Sequence, residues 1–321
     1  MRVVALEEHF LFPDLAGRLR DRAGTMPWLN PATSAQLADL GAARIEDMDA
    51  NGIDVQVLSA SMPGADLLDG RGGVDYAQAV NDRLAAAVSE YPARFAGFAH
   101  LPMRSPAAAA DELQRSVEQL GFRGALINGL SAGAFLDHAR FMVLLERAEA
   151  LRVPLYLHPN LPPASVVEAY YAGLPELPGQ LLATGLFGWH AEVAIHVMRL
   201  ALSGTMARYP GLRLIVGHMG ELLPAAIGRA DAILTRAHAF PGSLLQHLAE
   251  RVYITTSGVF TVPPLLAALT TFGPDRIMFS VDYPYSRNSD GAAYIGTLPV
   301  SPTDLAKIAH GNADRLLGLE S

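Results

Sequence analysis

Acidic and imidazole side chains recur in this sequence at the ends of short apolar runs. Glu7 and His9 end the run VVALEEH, and His158 ends the run VPLYLH. His218 ends LRLIVGH, and Asp282 ends RIMFSVD. Short runs rich in β-branched residues and bounded by turn residues are typical of buried parallel strands. Such side chains at successive strand ends predict a site at one end of a parallel barrel.

Four of these side chains could hold one divalent ion, because Glu7, His9, His158 and Asp282 together offer two nitrogen and two oxygen ligands. Glu7 and His9 lie two apart on one strand, so both face the same side, which in a barrel is the interior. Glu8 is expected to face the helices in a structural role. Positions left open for substrate or water are typical of catalytic metal sites. A set without sulfur favours zinc, then manganese, with magnesium as a third candidate. For Glu7 and His9 alone, a buried ion pair or a hydrogen-bonded core histidine is the alternative.

The sequence HMGE begins with His218, and Glu221 follows three residues later, where we expect the first turn of a helix. Glu221 can orient His218 and favour its charged form. Such a pair could serve as a proton shuttle, a substrate anchor or a second group of ligands. The alternative for Glu221 is a favourable interaction with the helix N-terminus. Arg229 could hold a carboxylate or phenolate, although a single arginine on a helix more often lies at the surface.

Eight strand-like runs alternate with segments of helical periodicity. The predicted strands are residues 3–8, 55–60, 95–101, 124–128, 153–158, 212–218, 252–257 and 277–282. The predicted helices are residues 36–51, 75–91, 107–120, 141–151, 192–209, 221–239, 263–272 and 303–317. This alternation predicts an α/β fold, a (β/α)8 TIM barrel formed by one domain, residues 1–321. A doubly wound open sheet is the alternative, but no glycine-rich phosphate loop follows the first strand.

Two long segments interrupt this alternation. Residues 10–35 follow the first strand and residues 159–189 follow the fifth, and both contain several prolines. Loops of this length are uncommon unless they carry function. Because both follow strands that carry candidate ligands, we interpret them as a lid or a pocket wall, with a subunit contact as the alternative.

The composition excludes several classes of function. Half of the 321 residues are hydrophobic, which allows a large core. The net charge of −8, without a cluster of Lys or Arg, argues against nucleic acid and anionic membranes as partners. The chain has no cysteine, which excludes thiolate metal sites and cysteine nucleophiles. We expect neither a signal peptide nor a membrane-spanning run of about 18 apolar residues, and therefore a cytoplasmic location.

The order of the motifs resembles one known family. The pieces VALEEHF, DVQVLSA, GALINGL, LYLHPN, AEVAIHVMRL, LIVGHMGE, YITTSG and RIMFSVDYP span nearly the whole chain. Together they resemble the metal-dependent amidohydrolase-related decarboxylases, which include the γ-resorcylate, 2,3-dihydroxybenzoate and 5-carboxyvanillate decarboxylases. Glu7-x-His9 resembles the aromatic-acid decarboxylases in particular, since most other relatives have His-x-His at this place.

This resemblance implies a (β/α)8 barrel that decarboxylates a hydroxylated aromatic acid reversibly and without oxidation. The metal, held by the four ligands above, would bind the carboxylate and the ortho oxygen, and Asp282 would protonate the ring carbon. We expect the crowded acids to raise the pKa of Asp282 so that it can carry this proton. The resemblance assigns His218 and Glu221 to catalysis and implies a homodimer or homotetramer. Residues expected to line the substrate pocket are Asn128, Trp189, Ser257 and Arg229.

The sequence departs from this family mainly in its loops. After SVDYP it reads Tyr285-Ser286-Arg287, where the γ-resorcylate type tends to carry Phe-Glu. The alternative function is a metal-dependent hydrolase of a lactone or amide, in which Asp282 would be the general base for water. Glu7 in place of a histidine argues against this alternative. A third interpretation is a barrel without catalytic activity that binds a small acid.

Overall fold

The computed structural model describes residues 1–17, 19 and 30–319, and eight parallel strands form the predicted barrel. The strands are β1 (Val4–Phe10), β2 (Val55–Ala60), β3 (Phe95–Gly97), β4 (Ala125–Asn128), β5 (Leu155–His158), β6 (Leu214–Val216), β7 (Val252–Thr255) and β8 (Ile277–Met278). They pair in two groups, β1-β2-β3 and β4 to β8 in order. A parallel bridge between Ala99 and Ala125 joins the groups on one side. On the other side, the backbone N–H of His9 donates to the carbonyl of Tyr283 at 2.6 Å and closes the ring.

Helices surround this ring of strands. They are α1 (Pro13–Gly17), α2 (Pro31–Ala38), α3 (Ala42–Ala50), α4 (Gly70–Glu90), α5 (Pro106–Glu118), α6 (Met142–Leu151), α7 (Ala164–Val166), α8 (Glu176–Ala183), α9 (Gly188–Leu202), α10 (Thr205–Arg208), α11 (Leu223–Ala237), α12 (Leu244–Ala249), α13 (Val262–Phe272), α14 (Asn288–Ile295), α15 (Pro302–Ala306) and α16 (Asn312–Leu317). Strand–helix alternation is therefore confirmed, and the boundary of a single domain over residues 1–321 stays a prediction.

Several predicted boundaries were wrong for local reasons. The helix expected over residues 36–51 is interrupted between α2 and α3, where the side chain of Asp39 accepts from the backbone N–H of Gly41 at 2.8 Å. The strands expected to reach residues 218 and 282 end earlier, at Val216 and Met278. His218 and Asp282 have φ values of 46° and 71°, so the chain has left the extended conformation before it reaches either residue.

A β-bulge in β1 sets which of its side chains face the barrel interior. Ala5 pairs with Gln56, but Glu8 pairs with Leu58, so β1 carries one extra residue between these pairs. Leu6 therefore packs in the apolar centre of the barrel, which takes a side chain from every strand or its end. Glu7 also faces inward and meets the hydroxyl of Tyr156 from β5. The strand thus fills the barrel with an apolar side chain and still turns its carboxylate toward the site.

The segment after β5 is not the irregular loop that the sequence suggested. Residues 159–189 contain α7, a wide helical turn at Val167–Tyr171 and α8. By length and composition alone, Glu176–Leu202 is apolar enough to cross a membrane, contrary to our expectation. It is divided into α8 and α9, and Leu181 and Trp189 within it line the main cavity. The cytoplasmic location stays a prediction. The central part of the other long segment, residues 18 and 20–29, lies outside the described residues.

Candidate active site

Five side chains from the ends of four strands, β1, β5, β6 and β8, meet at one end of the barrel. The contacts are short: His9 Nε2 lies 3.2 Å from Asp282 Oδ1, and His158 Nε2 lies 3.4 Å from Glu7 Oε1. His218 Nε2 lies 3.6 Å from Asp282 Oδ2 and 4.0 Å from Glu7 Oε1. The structure thus brings together all four predicted metal ligands and the predicted catalytic histidine.

The buried polar atoms of this group fit a bound cation. Among the described residues, Glu7 Oε1 and both ring nitrogens of His9 are buried without a hydrogen bond. Unpaired buried groups of this kind are costly, but a divalent ion accepts carboxylate oxygen and imidazole nitrogen as ligands. Ligand atoms of Glu7, His9 and His158 lie within 4.8 Å of one another, close enough to share one ion. The chemistry and spacing of the group therefore fit a divalent metal.

His158 and His218 differ in their protonation, and this difference suits them to different roles. Burial, together with the neighbouring His9 and His218, lowers the pKa of His158 to about 3. His158 is therefore a neutral imidazole, the form that binds metals. Burial also opposes the charged form of His218, but the carboxylates of Glu221 and Glu7 outweigh it and raise the pKa of His218 well above its ordinary value. His218 can thus store a proton beside the four candidate metal ligands.

Our expectation for the pKa of Asp282 was wrong in direction. Burial by itself would raise this pKa, but contacts with His218 and His9 outweigh burial and lower it below its ordinary value. The neighbouring acid Glu7 does not reverse the balance, because two imidazoles contact Asp282 directly. A proton delivered by Asp282 would therefore have to reach it from a neighbour, and His218, whose pKa is raised, lies 3.6 Å away.

Glu221 orients His218, as predicted from their spacing, but not from the first turn of a helix. Glu221 Oε1 accepts from His218 Nδ1 at 2.7 Å, while α11 begins later, at Leu223. Residues 218 to 222 all have positive φ values, between 46° and 83°. Left-handed backbone costs about 1–2 kcal/mol per residue other than glycine and is concentrated at functional sites. This turn places Glu221 behind His218 and leaves Nε2 of His218 facing Asp282.

Glu8 holds the end of β8 that carries Asp282. Its carboxylate accepts from the backbone N–H of Val281 at 2.8 Å and of Tyr283 at 3.1 Å, and from the hydroxyl of Ser280 at 3.1 Å. Burial raises the pKa of Glu8 to about 8. These contacts on both sides of Asp282 confirm the structural role predicted for Glu8.

Tyr156 supports Glu7 and is a residue that the sequence did not single out. Its hydroxyl donates to Glu7 Oε2 and also contacts Thr255 Oγ1 at 2.6 Å. Ser257, predicted to line the pocket, belongs to this buried layer, since its Oγ lies 2.6 Å from Thr255 Oγ1. The only sequence signal was the alternation YLH, which puts Tyr156 and His158 on the same face of β5.

Tyr156→Phe is expected to weaken metal binding about 10–100-fold, because partners that orient a metal ligand commonly contribute this much. Glu7 Oε2 would lose its donor and the carboxylate would no longer be fixed. Titration of metal-free protein with Mn²⁺ measures the change. Tyr253→Phe is the matched control, because Tyr253 is buried in the same barrel interior and has no hydrogen bond to Glu7 among the described contacts. Equal affinities for both variants would contradict the role given to Tyr156.

Gly217 leaves the space that the Glu7 carboxylate occupies. A Cβ atom at this position would lie 2.5 Å from Glu7 Oε2 and 3.1 Å from the Tyr156 hydroxyl. Gly217→Ala is therefore expected to displace Glu7 and reduce Mn²⁺ affinity by about tenfold or more, with little loss of stability because the displaced atom ends a side chain. Gly228→Ala, where a Cβ atom meets no neighbour within 4 Å, is the control in the same titration. Unchanged affinity in Gly217→Ala would show that Glu7 does not bind the ion.

A cavity of about 320 Å³ opens above this group. His158, His218 and Asp282 form its polar end. The other lining residues are mostly apolar or aromatic and come from α8, α9 and the loops after β2, β7 and β8: Met62, Leu181, Thr184, Gly185, Trp189, His190, Gly258, Val259, Tyr285 and Ser286. None of these described residues is Lys or Arg. The cavity therefore suits a small, largely apolar molecule with a polar group at the end formed by His158, His218 and Asp282.

The structure distributes the predicted pocket residues over three places. Trp189 lines the cavity together with Leu181, Thr184 and Gly185, so the last part of residues 159–189 forms one of its walls. Asn128 pairs in register with His158, and its Oδ1 is buried without a hydrogen bond among the described residues, but it does not line the cavity. Arg229 lies exposed on α11, outside the residues that line the cavity. Ser257 also does not line the cavity, and substrate binding by Asn128, Ser257 and Arg229 stays a prediction.

Comparison with known proteins places this barrel in a family. A family model described as Amidohydrolase matches residues 23–319. The chain belongs to this amidohydrolase family. The family resemblance inferred from the motifs is thereby confirmed.

Within the amidohydrolase family, the chain is similar to aromatic-acid decarboxylases over its full length. It is 37% identical to the γ-resorcylate decarboxylase of Polaromonas sp. (strain JS666), covering 98% of each chain. A crystal structure of dihydroxybenzoic acid decarboxylase from the same organism, with bound manganese and the inhibitor 2-nitroresorcinol, matches with a TM-score of 0.87 and 34% identity over 99% of this chain and 97% of that one. The 5-carboxyvanillate decarboxylase of Sphingomonas paucimobilis matches with a TM-score of 0.91 and 29% identity over 99% of both chains.

Proposed function

We infer that this amidohydrolase-family protein is a divalent-metal-dependent decarboxylase of a hydroxylated aromatic acid. The observation that carries this inference is the cavity itself, which has a mostly apolar lining and ends on His158, His218 and Asp282 beside Glu7 and His9. Its full-length similarity to decarboxylases of hydroxylated benzoic acids supports the same chemistry. Among the described lining residues no Lys or Arg is present to bind a carboxylate, so that task falls to the metal end.

The ion would be held by Glu7, His9 and His158, with Asp282 as the fourth ligand. When bound, it supplies positive charge for the carboxylate and ortho oxygen of the acid and orients the ring. We propose manganese before zinc, because carboxylate ligands suit manganese and a similar decarboxylase was crystallised with it. Leu181, Trp189 and Val259 would hold the ring between them and exclude water.

We propose that the reaction uses one proton held by the protein. The proton starts on His218 Nε2, which lies 3.6 Å from Asp282 Oδ2. Asp282 receives it and delivers it to the ring carbon that carries the carboxylate. The bond between this carbon and the carboxylate then breaks, its electron pair restores the aromatic ring, and CO2 leaves. Glu221 keeps its hydrogen bond to Nδ1 of His218 throughout, so Nε2 remains directed at Asp282.

A substrate panel tests this function. Purified protein loaded with Mn²⁺ is incubated with 2,6-dihydroxybenzoate, 2,3-dihydroxybenzoate and 5-carboxyvanillate, and CO2 release is followed. We expect release from at least one of these acids and none from 3-hydroxybenzoate, which lacks an ortho hydroxyl. A parallel panel of lactones and amides should stay intact. Hydrolysis of a lactone without any decarboxylation would contradict the proposal and support the hydrolase alternative.

We further propose that the protein is a homo-oligomer, with a second copy covering the outer face of α8 and α9. This face exposes large apolar side chains, including Leu177, Phe187 and Ile195, which are 54%, 51% and 52% exposed. Several large apolar side chains exposed on neighbouring helices are typical of subunit contacts. Ile195→Lys is expected to shift the mass measured by light scattering toward the monomer. A monomeric parent protein at micromolar concentration would contradict the proposal.

A further inference from the structure

His190 connects the cavity wall to the pair formed by Glu221 and His218. It lies in the first turn of α9 and lines the cavity. Its Nδ1 contacts Glu221 Oε2, and its Nε2 lies 3.1 Å from the carbonyl oxygen of Gly185. The rings of His190 and His218 lie 5.5 Å apart in an edge-to-face arrangement. Glu221, which is fully buried, is therefore shared between two imidazoles, one on each carboxylate oxygen.

The two hydrogen-bond partners of His190 define what this residue contributes. Both of its partners are oxygen acceptors, because a carbonyl only accepts and an ionised carboxylate only accepts. Glu221 is ionised: burial opposes its charge, but His218 and His190 outweigh burial and lower the pKa of Glu221 to about 2. Both ring nitrogens of His190 therefore face oxygen atoms of the protein, and its contacts serve Glu221 and the turn at Gly185.

We propose that His190 is a positioning residue for the decarboxylation, which fixes Glu221 so that its other oxygen holds His218 in the productive orientation. This inference rests on the proposed function for the reaction that it assists. Without His190, Glu221 Oε2 would be a buried charged acceptor without a donor, which is costly. The carboxylate would then rotate or take up water, and Nε2 of His218 would lose its fixed direction toward Asp282. The same contacts link the turn between α8 and α9, and thus the cavity wall, to the catalytic pair.

Four proteins test this proposal: the parent, His190→Phe, His190→Gln and the control His196→Asn. Phe keeps an aromatic ring but donates nothing, whereas the Gln amide can donate to Glu221 Oε2. His196 lies on the same helix and is also buried, but it accepts from the backbone N–H of Leu136 at 3.0 Å and does not contact Glu221. A variant that only perturbs α9 should therefore behave like His196→Asn.

The first measurement needs no substrate. Proton NMR of the Mg²⁺-loaded proteins records the ring N–H of His218 that donates to Glu221, since this proton is buried and shielded from exchange. We expect the signal in the parent and in His196→Asn, its loss or broadening in His190→Phe, and its partial return in His190→Gln. If His190→Phe does not fold, the test rests on His190→Gln. The proposal then requires that the His218 N–H signal of this variant is shifted from that of the parent, and an unshifted signal overturns it.

The second measurement is the pH profile of kcat and KM with Mn²⁺ and the best substrate of the panel. We expect His190→Phe to lose about 10–100-fold in kcat with KM changed less than about twofold, and to alter the pH profile. His190→Gln should recover part of kcat, and His196→Asn should keep the parent profile. A His190→Phe protein with the parent's NMR signal and kcat overturns the proposal. If the parent decarboxylates no acid, the proposed function fails, and the NMR result alone decides the role of His190.

Discussion

Asp282→Asn is expected to reduce kcat for decarboxylation by about 10²–10⁴-fold, the usual contribution of a general acid, while the fold is kept. Asparagine has nearly the same shape, and its oxygen can keep the contact with His9 Nε2, which lies 3.2 Å from Asp282 Oδ1. The amide cannot take up a proton from His218, so protonation of the ring carbon stops. Glu8 holds the neighbouring backbone of Val281 and Tyr283 in both proteins, which preserves the position of the side chain.

Asp282 is also a proposed metal ligand, so the experiment must separate loss of the proton donor from loss of the ion. kcat is therefore measured at saturating Mn²⁺, with the metal content of each sample determined beside it. The expected result is a metal-loaded, folded and inactive variant. The assignment of Asp282 as proton donor would be refuted by an Asn variant that turns over at the parent rate.

Removal of the metal is expected to abolish turnover and to lower the thermal stability, and added Mn²⁺ should restore both. At 100 times the dissociation constant, a bound ion stabilises the folded state by about 2.7 kcal/mol. Glu7→Gln should mimic the loss, because the amide keeps the size of the side chain but not the charge that binds the cation. Calorimetry with and without chelator, together with Mn²⁺ titration of Glu7→Gln, checks these results. Full activity of chelated protein would exclude a metal-dependent reaction.

The stabilisation by the metal is expected to grow as the pH rises. Burial raises the pKa of Glu7 above its ordinary value of 4.5 in the metal-free protein, so the folded state binds this proton more tightly than the unfolded state. The contribution of Glu7 to the stability of the metal-free protein is therefore greatest at low pH. It falls as the pH rises through the pKa that Glu7 has in the folded state. A bound cation displaces the proton and removes the penalty. The difference in melting temperature between loaded and metal-free protein should widen from pH 5 to pH 8, and a constant difference would contradict the role of Glu7.

The structure also changes how the catalytic proton is understood. Several carboxylates close together suggest acids with raised pKa values, and the pKa values of Glu7 and Glu8 are raised, mainly by burial. Asp282 behaves in the opposite way because His9 and His218 contact it directly. Composition alone cannot predict whether the pKa of an acid is raised or lowered, since the direction of the shift depends on which side chains contact it. We therefore propose His218, rather than Asp282, as the proton store.

The sequence by itself determined the barrel and which candidate ligands would meet at one end of it. Apolar runs of strand length are local, and each candidate ligand follows its run directly, so parallel strands in a ring must bring Glu7, His9, His158 and Asp282 to one end. The spacing of His218 and Glu221 likewise identified a pair. The predicted meeting of these side chains was confirmed because it depends on the periodicity of single segments, while their binding of a metal stays a prediction.

Only the tertiary structure decided how these groups are aimed and supported. The bulge in β1 that turns both Leu6 and Glu7 inward depends on the register with β2, and the left-handed turn from His218 to Leu222 depends on packing around it. Tyr156 reaches Glu7 across the barrel, and His190 reaches Glu221 from a helix after another strand. Such contacts join residues far apart in the chain, and one sequence carries no record of which distant side chains will meet.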